Sequence, residues 1–469
     1  MTDAADLTAV ELLAAYRAGE LSPVEATRAV LDRIHEHDPQ VNAFCLVEEA
    51  AAVASATGSQ ARWQRGEPRG ALDGVPVSVK DLLLTVGWPT RRGSHTTDPD
   101  APTDVDAPSV ARVREQDAVL IGKTTTPEYG WKGVTDSPLT GITRNPWDSS
   151  RTSGGSSGGS AVAVALGMGP LSLGTDGGGS LRIPAAFSGI TTLKPTYGRV
   201  PLYPASPFGS LSHVGPMTRT AADAALLLDV LSGFDPRDAW ALAPADPTTP
   251  HLDDGVAGLR IAFSPTLGYV DVDPEVAAAV AAAAAVAGGL GATVEPADPG
   301  FADPIEAFQV LWFSGAAAVV KPVLTRRDEM DPGLLDVAEI GAGFSAGDYV
   351  AASAVRNDMG ALMGDFHGRY DLLLTPTMPI PAFAAGQAAP ADWAGRWTSW
   401  TPFTFPFNLT QQPAASVPCG FTGEGLPVGL QIVGARHADA LVLAAAHAFQ
   451  GVTGYHRRSP LRDEARPVG

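Results

Sequence analysis

Two glycine-rich segments contain the serines that are best suited to chemistry. Residues 154–160 have the sequence GGSSGGS, and residues 174–184 have the sequence GTDGGGSLRIP. Glycine has no Cβ and reaches positive φ freely, so such segments can present a serine hydroxyl at a tight turn while backbone N–H groups face a substrate oxygen. The pattern predicts a nucleophilic serine with an oxyanion hole.

A serine nucleophile needs a base, because its hydroxyl is almost fully protonated at neutral pH. Upstream, residues 75–81 have the sequence VPVSVKD. The alternation of Val75, Val77 and Val79 predicts a short strand with Lys80 on the opposite face. Burial lowers the pKa of a lysine and leaves a free amine at neutral pH. We therefore predict that Lys80 is the base.

These three segments, in this order, resemble the amidase signature family of serine hydrolases. The family uses a Ser-Ser-Lys triad, which the resemblance places at Lys80, Ser156 and Ser180, with a cis peptide bond before Ser156. The resemblance extends from the region of Leu12 to about Ala445, and its core signature covers about residues 75–200. Other matching stretches are residues 145–148 (NPWD), 193–200 (LKPTYGRV), 406–410 (PFNLT) and 425–431 (GLPVGLQ).

The resemblance implies an acyl-enzyme mechanism. Lys80, neutral at rest, accepts a proton through Ser156 from the hydroxyl of Ser180, which attacks the amide carbonyl. The amine then leaves, and water cleaves the acyl-enzyme. The predicted oxyanion hole consists of the backbone N–H groups of Gly177, Gly178, Gly179 and Ser180.

Further residues are predicted to support this site. Ser157 and Thr152 are candidates for hydrogen bonds within it, and Asp176 and Arg182 are candidates for an ion pair that braces the turn. The candidates to line an apolar acyl or aryl pocket are Trp131, Trp397, Trp400 and Phe403, with core packing as the alternative for each.

Other interpretations of the same residues stay open. A Gly-Ser run is often a flexible linker, and Lys80 alone would fit a surface lysine paired with Asp81. A phosphate-binding loop would need a Gly-Lys-Ser/Thr sequence, but Ala161 follows the serine-rich run. His95 and His213 are the candidates for a Ser-His-Asp arrangement. The combination of three segments favours the lysine triad.

The resemblance predicts an amidohydrolase that cleaves the C–N bond of small carboxylic amides, with aryl amides, anilides and carbamates as candidate substrates. The alternatives are a glutaminase subunit of a Gln-dependent tRNA amidotransferase and a non-catalytic binding scaffold. Amidotransferase subunits commonly carry Thr where this chain has Gly177 and Gln where it has Ile183, which favours a free-standing hydrolase. Gly177 also predicts a more open oxyanion loop. The intact triad argues against a scaffold.

Composition restricts the partners. The chain has 469 residues, of which 45% are hydrophobic, and a formal charge of −19, so its surface should repel nucleic acid and anionic lipid. We expect a small-molecule substrate, no nucleic acid, membrane, cofactor or metal, and a monomer or homodimer. The acidic N-terminus lacks the features of a signal peptide, which predicts a cytoplasmic enzyme. Cys45 and Cys419 are expected to be buried free thiols.

The pattern of elements predicts an α/β fold. Ser22, Pro23 and Glu25 fit a capping box at the start of a helix that ends near residues 38–39. Ser180 is expected to open a helix after the nucleophile turn. Helices are also predicted at residues 158–166 and 276–287, and strands at residues 75–79, 171–174, 259–263, 292–295, 370–376, 415–418 and 429–433. Alternating elements favour a largely parallel sheet with helices on both faces, and the resemblance makes this sheet mixed, wide and part of a single domain over residues 1–469.

Overall fold

A computed structural model describes residues 3–393 and 395–463 of the chain. The helices are α1 (Ala9–Ala18), α2 (Pro23–Val41), α3 (Glu49–Gln64), α4 (Pro108–Glu115), α5 (Gly158–Ala165), α6 (Arg182–Ser188), α7 (Ala221–Leu231), α8 (Pro274–Gly289), α9 (Ile305–Val320), α10 (Pro332–Ala342), α11 (Ala346–His367), α12 (Pro406–Leu409), α13 (Asp439–Thr453) and α14 (Pro460–Asp463). The strands are β1 (Phe44–Val47), β2 (Pro76–Lys80), β3 (Val119–Thr124), β4 (Asp136–Ser137), β5 (Gly141–Ile142), β6 (Leu171–Asp176), β7 (Thr191–Lys194), β8 (His213–Thr218), β9 (Arg260–Phe263), β10 (Thr293–Pro296), β11 (Leu372–Pro376), β12 (Ala414–Phe421) and β13 (Pro427–Gly434).

Eleven of these strands form one wide, mixed sheet in the order β1-β3-β2-β6-β8-β7-β12-β13-β11-β9-β10. Parallel pairings join β3, β2 and β6 at one end and β11, β9 and β10 at the other. Antiparallel pairings join the strands between these two groups. The predicted wide, mixed sheet with surrounding helices is confirmed.

The parallel group β3-β2-β6 brings the predicted chemistry together. Val79 of β2 is in register with Leu173 of β6, so both strands end at the same edge of the sheet. The carboxyl ends of neighbouring parallel strands are where open α/β sheets bind ligands. Lys80 is the last residue of β2, and the loop that contains Ser180 follows β6 directly.

The two helix starts predicted from local sequence signals agree with the structure at α2 but not at α6. The capping box of α2 is present, with Ser22 bound to the backbone of Glu25, although the helix continues past Pro39 to Val41. Helix α6 begins at Arg182 rather than at Ser180. The backbone before it turns around the carboxylate of Asp176 instead, so Ser180 lies in that turn.

One long apolar helical stretch is not among the helices predicted from the sequence. Residues Ile305–Glu329, which include α9, are long and apolar enough by composition to cross a membrane, and half of the apolar window is buried in the fold. A core helix of a globular protein has the same composition, and α9 contributes the buried side chains of Phe308 and Trp312 to an aromatic cluster. Among the cysteines, Cys419 is buried as expected, whereas Cys45 is exposed.

Candidate active site

Lys80 lies at the centre of a small cluster of hydroxyl groups. Its side chain is fully buried, and its Nζ lies 2.7 Å from Ser156 Oγ, 2.9 Å from Ser157 Oγ and 2.8 Å from Thr175 Oγ1. Loss of hydration on burial lowers the pKa of Lys80 well below its ordinary value, although the negative charge of Asp176 acts in the opposite direction. Burial thus favours the neutral amine over the ammonium at this position.

The hydroxyl directions follow from the remaining hydrogen bonds. Ser157 Oγ donates to the carbonyl of Thr175 at 3.0 Å, so its single proton is already used and it accepts from Lys80. A neutral amine has two N–H bonds and one lone pair. If Lys80 donates to Ser157 and Thr175, its lone pair is left to accept the proton of Ser156. This arrangement is suited to taking a proton from Ser156.

The loop before α5 holds Ser156 in place. The Gly155–Ser156 peptide bond is cis, as the resemblance implies. Thr135 Oγ1 donates to the carbonyl of Gly154 at 2.9 Å and accepts from the N–H of Gly158 at 3.0 Å. A Cβ on Gly158 would lie only 2.3 Å from Thr135 Oγ1, so glycine is required for this close approach.

Thr152 lies outside the Lys80 cluster. Its hydroxyl accepts from the N–H of Gly154 at 3.1 Å, and its backbone N–H donates to Phe383. Thr135, which the sequence analysis missed, contacts the serine loop at two points. It lies outside the glycine-rich segment, so no local pattern indicated its role.

Asp176 organises the turn that carries Ser180. Its carboxylate accepts from the N–H of Gly179 at 2.7 Å and of Leu181 at 3.2 Å, and it pairs with Arg182 through two contacts of 3.0 Å. Burial by itself raises the pKa of Asp176, but the Arg182 guanidinium holds it well below its ordinary value. The predicted ion pair is thus formed, and both side chains are fully buried.

Arg182 connects this turn to the C-terminal part of the chain. It donates to the Thr404 carbonyl and to Gln431 Oε1, both at 2.9 Å, and to Asn408 Oδ1 at 2.7 Å. Asn408 also donates to Asp176 at 2.8 Å. The stretches at residues 406–410 and 425–431 therefore contribute to the site by fixing the ion pair.

The predicted oxyanion hole needs one correction. The N–H of Gly179 donates to Asp176, so it is engaged by the carboxylate rather than free for a substrate oxygen. Within residues 3–393 and 395–463, the N–H groups of Gly177, Gly178 and Ser180 have no hydrogen-bond acceptor. Three such donors within one short turn can hold a developing oxyanion.

Ser156 and Ser180 line the same cavity, which has a volume of about 140 Å³. The two serine loops are joined by a hydrogen bond of 3.2 Å from the Ser157 N–H to the Ser180 carbonyl. The described residues include no hydrogen bond between the two serine hydroxyls. Such bonds often tighten only when substrate is bound. The cavity is lined by Leu82, Leu83, Arg92, Tyr129, Gly130, Ser156, Thr175, Gly177, Ser180, residues 202–208, Ser212, Trp312 and Val319.

The aromatic pocket residues predicted from the sequence are not those that line this cavity. Trp131, Trp397, Trp400 and Phe403 are all buried elsewhere in the core. Aromatic side chains of Tyr129, Tyr203, Phe208 and Trp312 line it instead. Sequence alone does not distinguish a tryptophan in a cavity wall from one in the core, because both are apolar and buried.

Neither histidine candidate reaches the cavity. His213 lies behind the nucleophile turn, where its Nδ1 contacts the carbonyls of Leu211 at 2.8 Å and Asp176 at 3.2 Å. Burial lowers the pKa of His213 well below its ordinary value. His95 is exposed, and its Nε2 lies 3.1 Å from the carbonyl of Pro138. The geometry thus favours the lysine over a histidine as base.

Comparison with known proteins shows the family of this chain. The amidase family model matches residues 25–443, and the chain is 37% identical over 464 residues to an acylamidase of Rhodococcus erythropolis, covering 97% of both chains. The structure of a bacterial aryl acylamidase of the amidase signature family superimposes with a TM-score of 0.91 at 32% identity, covering 98% of this chain and 99% of that one. The chain belongs to the amidase family and is an amide-hydrolysing enzyme.

The same comparison leaves the substrate open. A glutamyl-tRNA(Gln) amidotransferase component of Chloroflexus aggregans is also 37% identical, over 491 residues that cover 98% of this chain and 99% of that one. Overall similarity therefore does not separate an acylamidase from an amidotransferase component. The substrate class must therefore be inferred from the residues that line the cavity.

Proposed function

We propose that this enzyme hydrolyses small neutral carboxylic amides through an acyl-enzyme on Ser180, with Ser156 as proton relay and Lys80 as base. The observation that carries the proposal is the contact of 2.7 Å between the buried Lys80 amine and Ser156, in the cavity that Ser180 also lines. A desolvated amine is a competent base at neutral pH.

In the proposed reaction, the Ser180 hydroxyl gives its proton to Ser156 Oγ while Ser156 passes its own proton to Lys80. Ser180 Oγ bonds to the carbonyl carbon, and the N–H groups of Gly177, Gly178 and Ser180 hold the resulting oxyanion. When the C–N bond breaks, the proton returns from Lys80 through Ser156 to the departing amine. Water then hydrolyses the ester at Ser180 by the same proton path.

The charges around the cavity support a neutral substrate over glutamine. Among the residues that line it in the described chain, Arg92 is the only charged one, and no carboxylate is present. Free glutamine carries an α-ammonium as well as an α-carboxylate, and the ammonium would find no partner here. Burying an unpaired charge is costly. Anilides, aliphatic amides and carbamates avoid this cost.

A serine-directed sulfonyl fluoride tests the assignment of the nucleophile. The reagent should add its mass to the peptide that contains Ser180, and Ser180→Ala should abolish the adduct. Ser210→Ala is the control, because Ser210 lies outside the cavity and should leave labelling unchanged. An adduct confined to Ser156 or Ser157, or one that persists in Ser180→Ala, would contradict the proposal.

Substrate choice needs a separate assay of the purified chain alone. Release of amine from a neutral aryl or aliphatic amide is compared with release of ammonia from glutamine. Turnover of the neutral amide without a second kind of chain supports the free-standing hydrolase. Cleavage of glutamine alone, and only after addition of partner proteins and tRNA, would assign the chain to the amidotransferase type.

A further inference from the structure

Trp312 of α9 forms a rigid wall of the cavity beside the oxyanion loop. Its indole ring stacks on Phe208 with a centroid distance of 3.9 Å and an interplanar angle of 15°. Its Nε1 donates to the carbonyl of Trp131 at 3.0 Å, and Phe308 packs against it with a centroid distance of 5.7 Å. These contacts leave the indole little freedom to move.

The benzo edge of Trp312 occupies the space that a side chain at position 177 would need. A Cβ on Gly177 would lie 2.6 Å from Trp312 Cζ3 and 3.0 Å from Cη2. Gly177 does not have a positive φ, so this close approach, rather than the backbone conformation, requires glycine there. The expectation that Gly177 opens the oxyanion loop is wrong, because Trp312 fills the space.

The position of Ser156 indicates which side of the cavity receives each half of the substrate. Ser156 must hand a proton to the departing amine, so the amine lies on its side. A Cβ on Gly130 would lie 3.4 Å from Ser156 Oγ and 2.7 Å from Leu82 Cδ1, which places Gly130 and Leu82 on the amine side. We therefore assign the remaining wall at Gly177 and Trp312 to the acyl group.

The volume of the cavity limits how much of the substrate it encloses. The cavity measures about 140 Å³, and apolar cavities of about 150 Å³ bind one benzene molecule. The cavity thus encloses about one ring of the substrate, and the rest of the substrate extends toward its opening. Because Trp312 and Phe208 stack face to face on each other, their edges are the parts that can contact a substrate, and an aromatic ring packs favourably against such edges.

We propose that Trp312 determines acyl specificity and selects acyl groups with one planar ring. Trp312 stacks on Phe208 and occupies the space that a side chain at Gly177 would need. The inference rests on the proposed acyl-enzyme at Ser180. It names benzoyl-type amides as the substrate class.

The first test compares benzoyl and acetyl substrates that share a leaving group. Each acyl group is supplied as an anilide and as a p-nitrophenyl ester, and kcat/KM is measured for the wild type and Trp312→Leu. The benzoyl-to-acetyl ratio should fall at least about tenfold in the variant, since a misfit of a methylene or more in a pocket is worth about 10–200-fold. The fall should be the same for anilides and esters, because they share the acyl group.

Trp400→Leu is the matched control. Trp400 is equally buried but lies against Phe187 and Phe383 rather than in the cavity, so its loss should lower stability without changing the ratio. An unchanged ratio in Trp312→Leu would overturn the inference. If the loss of activity in Trp312→Leu depends on the leaving group and not on the acyl group, Trp312 belongs to the amine side. That result would overturn the inference as well.

The second test examines the fit between positions 177 and 312. Gly177→Ala keeps the backbone N–H but adds a methyl group against the indole, so it should lower benzoyl turnover at least about tenfold. Adding Trp312→Leu should then raise turnover of the acetyl substrate above that of Gly177→Ala alone. Wild-type activity in Gly177→Ala, or no such recovery, would refute the fit.

Sulfonyl fluoride labelling separates failure of this inference from failure of the proposed function. Labelling of Ser180 in Trp312→Leu, together with an unchanged acyl ratio, refutes the inference and leaves the nucleophile assignment in place. Absence of label at Ser180 in the wild type refutes both. Labelling with the predicted change in ratio supports both.

Discussion

Lys80→Met tests the proposed base through stability as well as activity. Methionine keeps most of the volume of the lysine stem but removes the amine. Burial lowers the pKa of Lys80 well below 10.5 in the folded protein, whereas a lysine in the unfolded chain keeps its ordinary pKa. Between these two values the unfolded state binds one proton more than the folded state. The stability of the wild type must therefore rise with pH across that window.

The magnitude follows from linkage. One proton contributes about 1.4 kcal/mol to the free energy of unfolding per pH unit. Below the depressed pKa both states hold the proton, and above pH 10.5 neither does, so the contribution is flat outside the window. The Lys80→Met variant lacks the titrating amine and therefore lacks this pH-dependent contribution. The wild-type stability minus the variant stability should therefore rise by about 1.4 kcal/mol for each pH unit within this window.

Urea denaturation of both proteins at pH 7, 8 and 9 measures this difference. Lys321→Met, at an exposed position, is the control and should retain the pH dependence of the wild type. In parallel, kcat/KM of Lys80→Met should fall by about 10²–10⁴, and that of the wild type should rise with pH up to the depressed lysine pKa. A stability difference that does not change with pH would show that Lys80 is protonated when folded and would refute the reasoning. Near-normal turnover in the variant would refute the catalytic role.

Three further outcomes are expected. Ser156→Ala should lower kcat/KM by about 10²–10⁴ without changing the mobility of the folded protein on gel filtration, because only the relay is lost; activity near wild type would place the relay elsewhere. Asp176→Asn should cost about 3–5 kcal/mol in urea denaturation, because Arg182 is left as a buried charge without its partner; a loss under about 1 kcal/mol would contradict the structural role of the pair. Burial raises the pKa of Asp223 from 3.8 to about 6. Between these two pH values the folded state binds one proton more than the unfolded state, so the stability of the wild type falls as pH rises. Asp223→Asn should therefore gain about 2.4 kcal/mol relative to the wild type between pH 4 and pH 7, and a pH-independent difference would refute the shift.

The sequence prediction succeeded where the relevant contacts are local or belong to regular strands. The alternation before Lys80 predicted β2, and the capping box predicted the start of α2, because both patterns depend on neighbouring residues. It failed at Gly179, whose N–H is taken by Asp176. A run of three glycines looks the same whether its donors face a substrate or a carboxylate.

Sequence by itself indicated the family and the identity of the candidate triad, because glycine runs, serines and a strand-borne lysine leave a readable pattern. The mixed character of the sheet followed only from the resemblance to that family. The catalytic roles of Lys80, Ser156 and Ser180 stay predictions. The tertiary structure alone decided which side chains line the cavity. Trp312 and Gly177 are separated by more than a hundred residues in the chain, yet a Cβ on Gly177 would lie 2.6 Å from the indole. Such contacts depend on how α9 packs against the loop after β6, and no local periodicity encodes that packing.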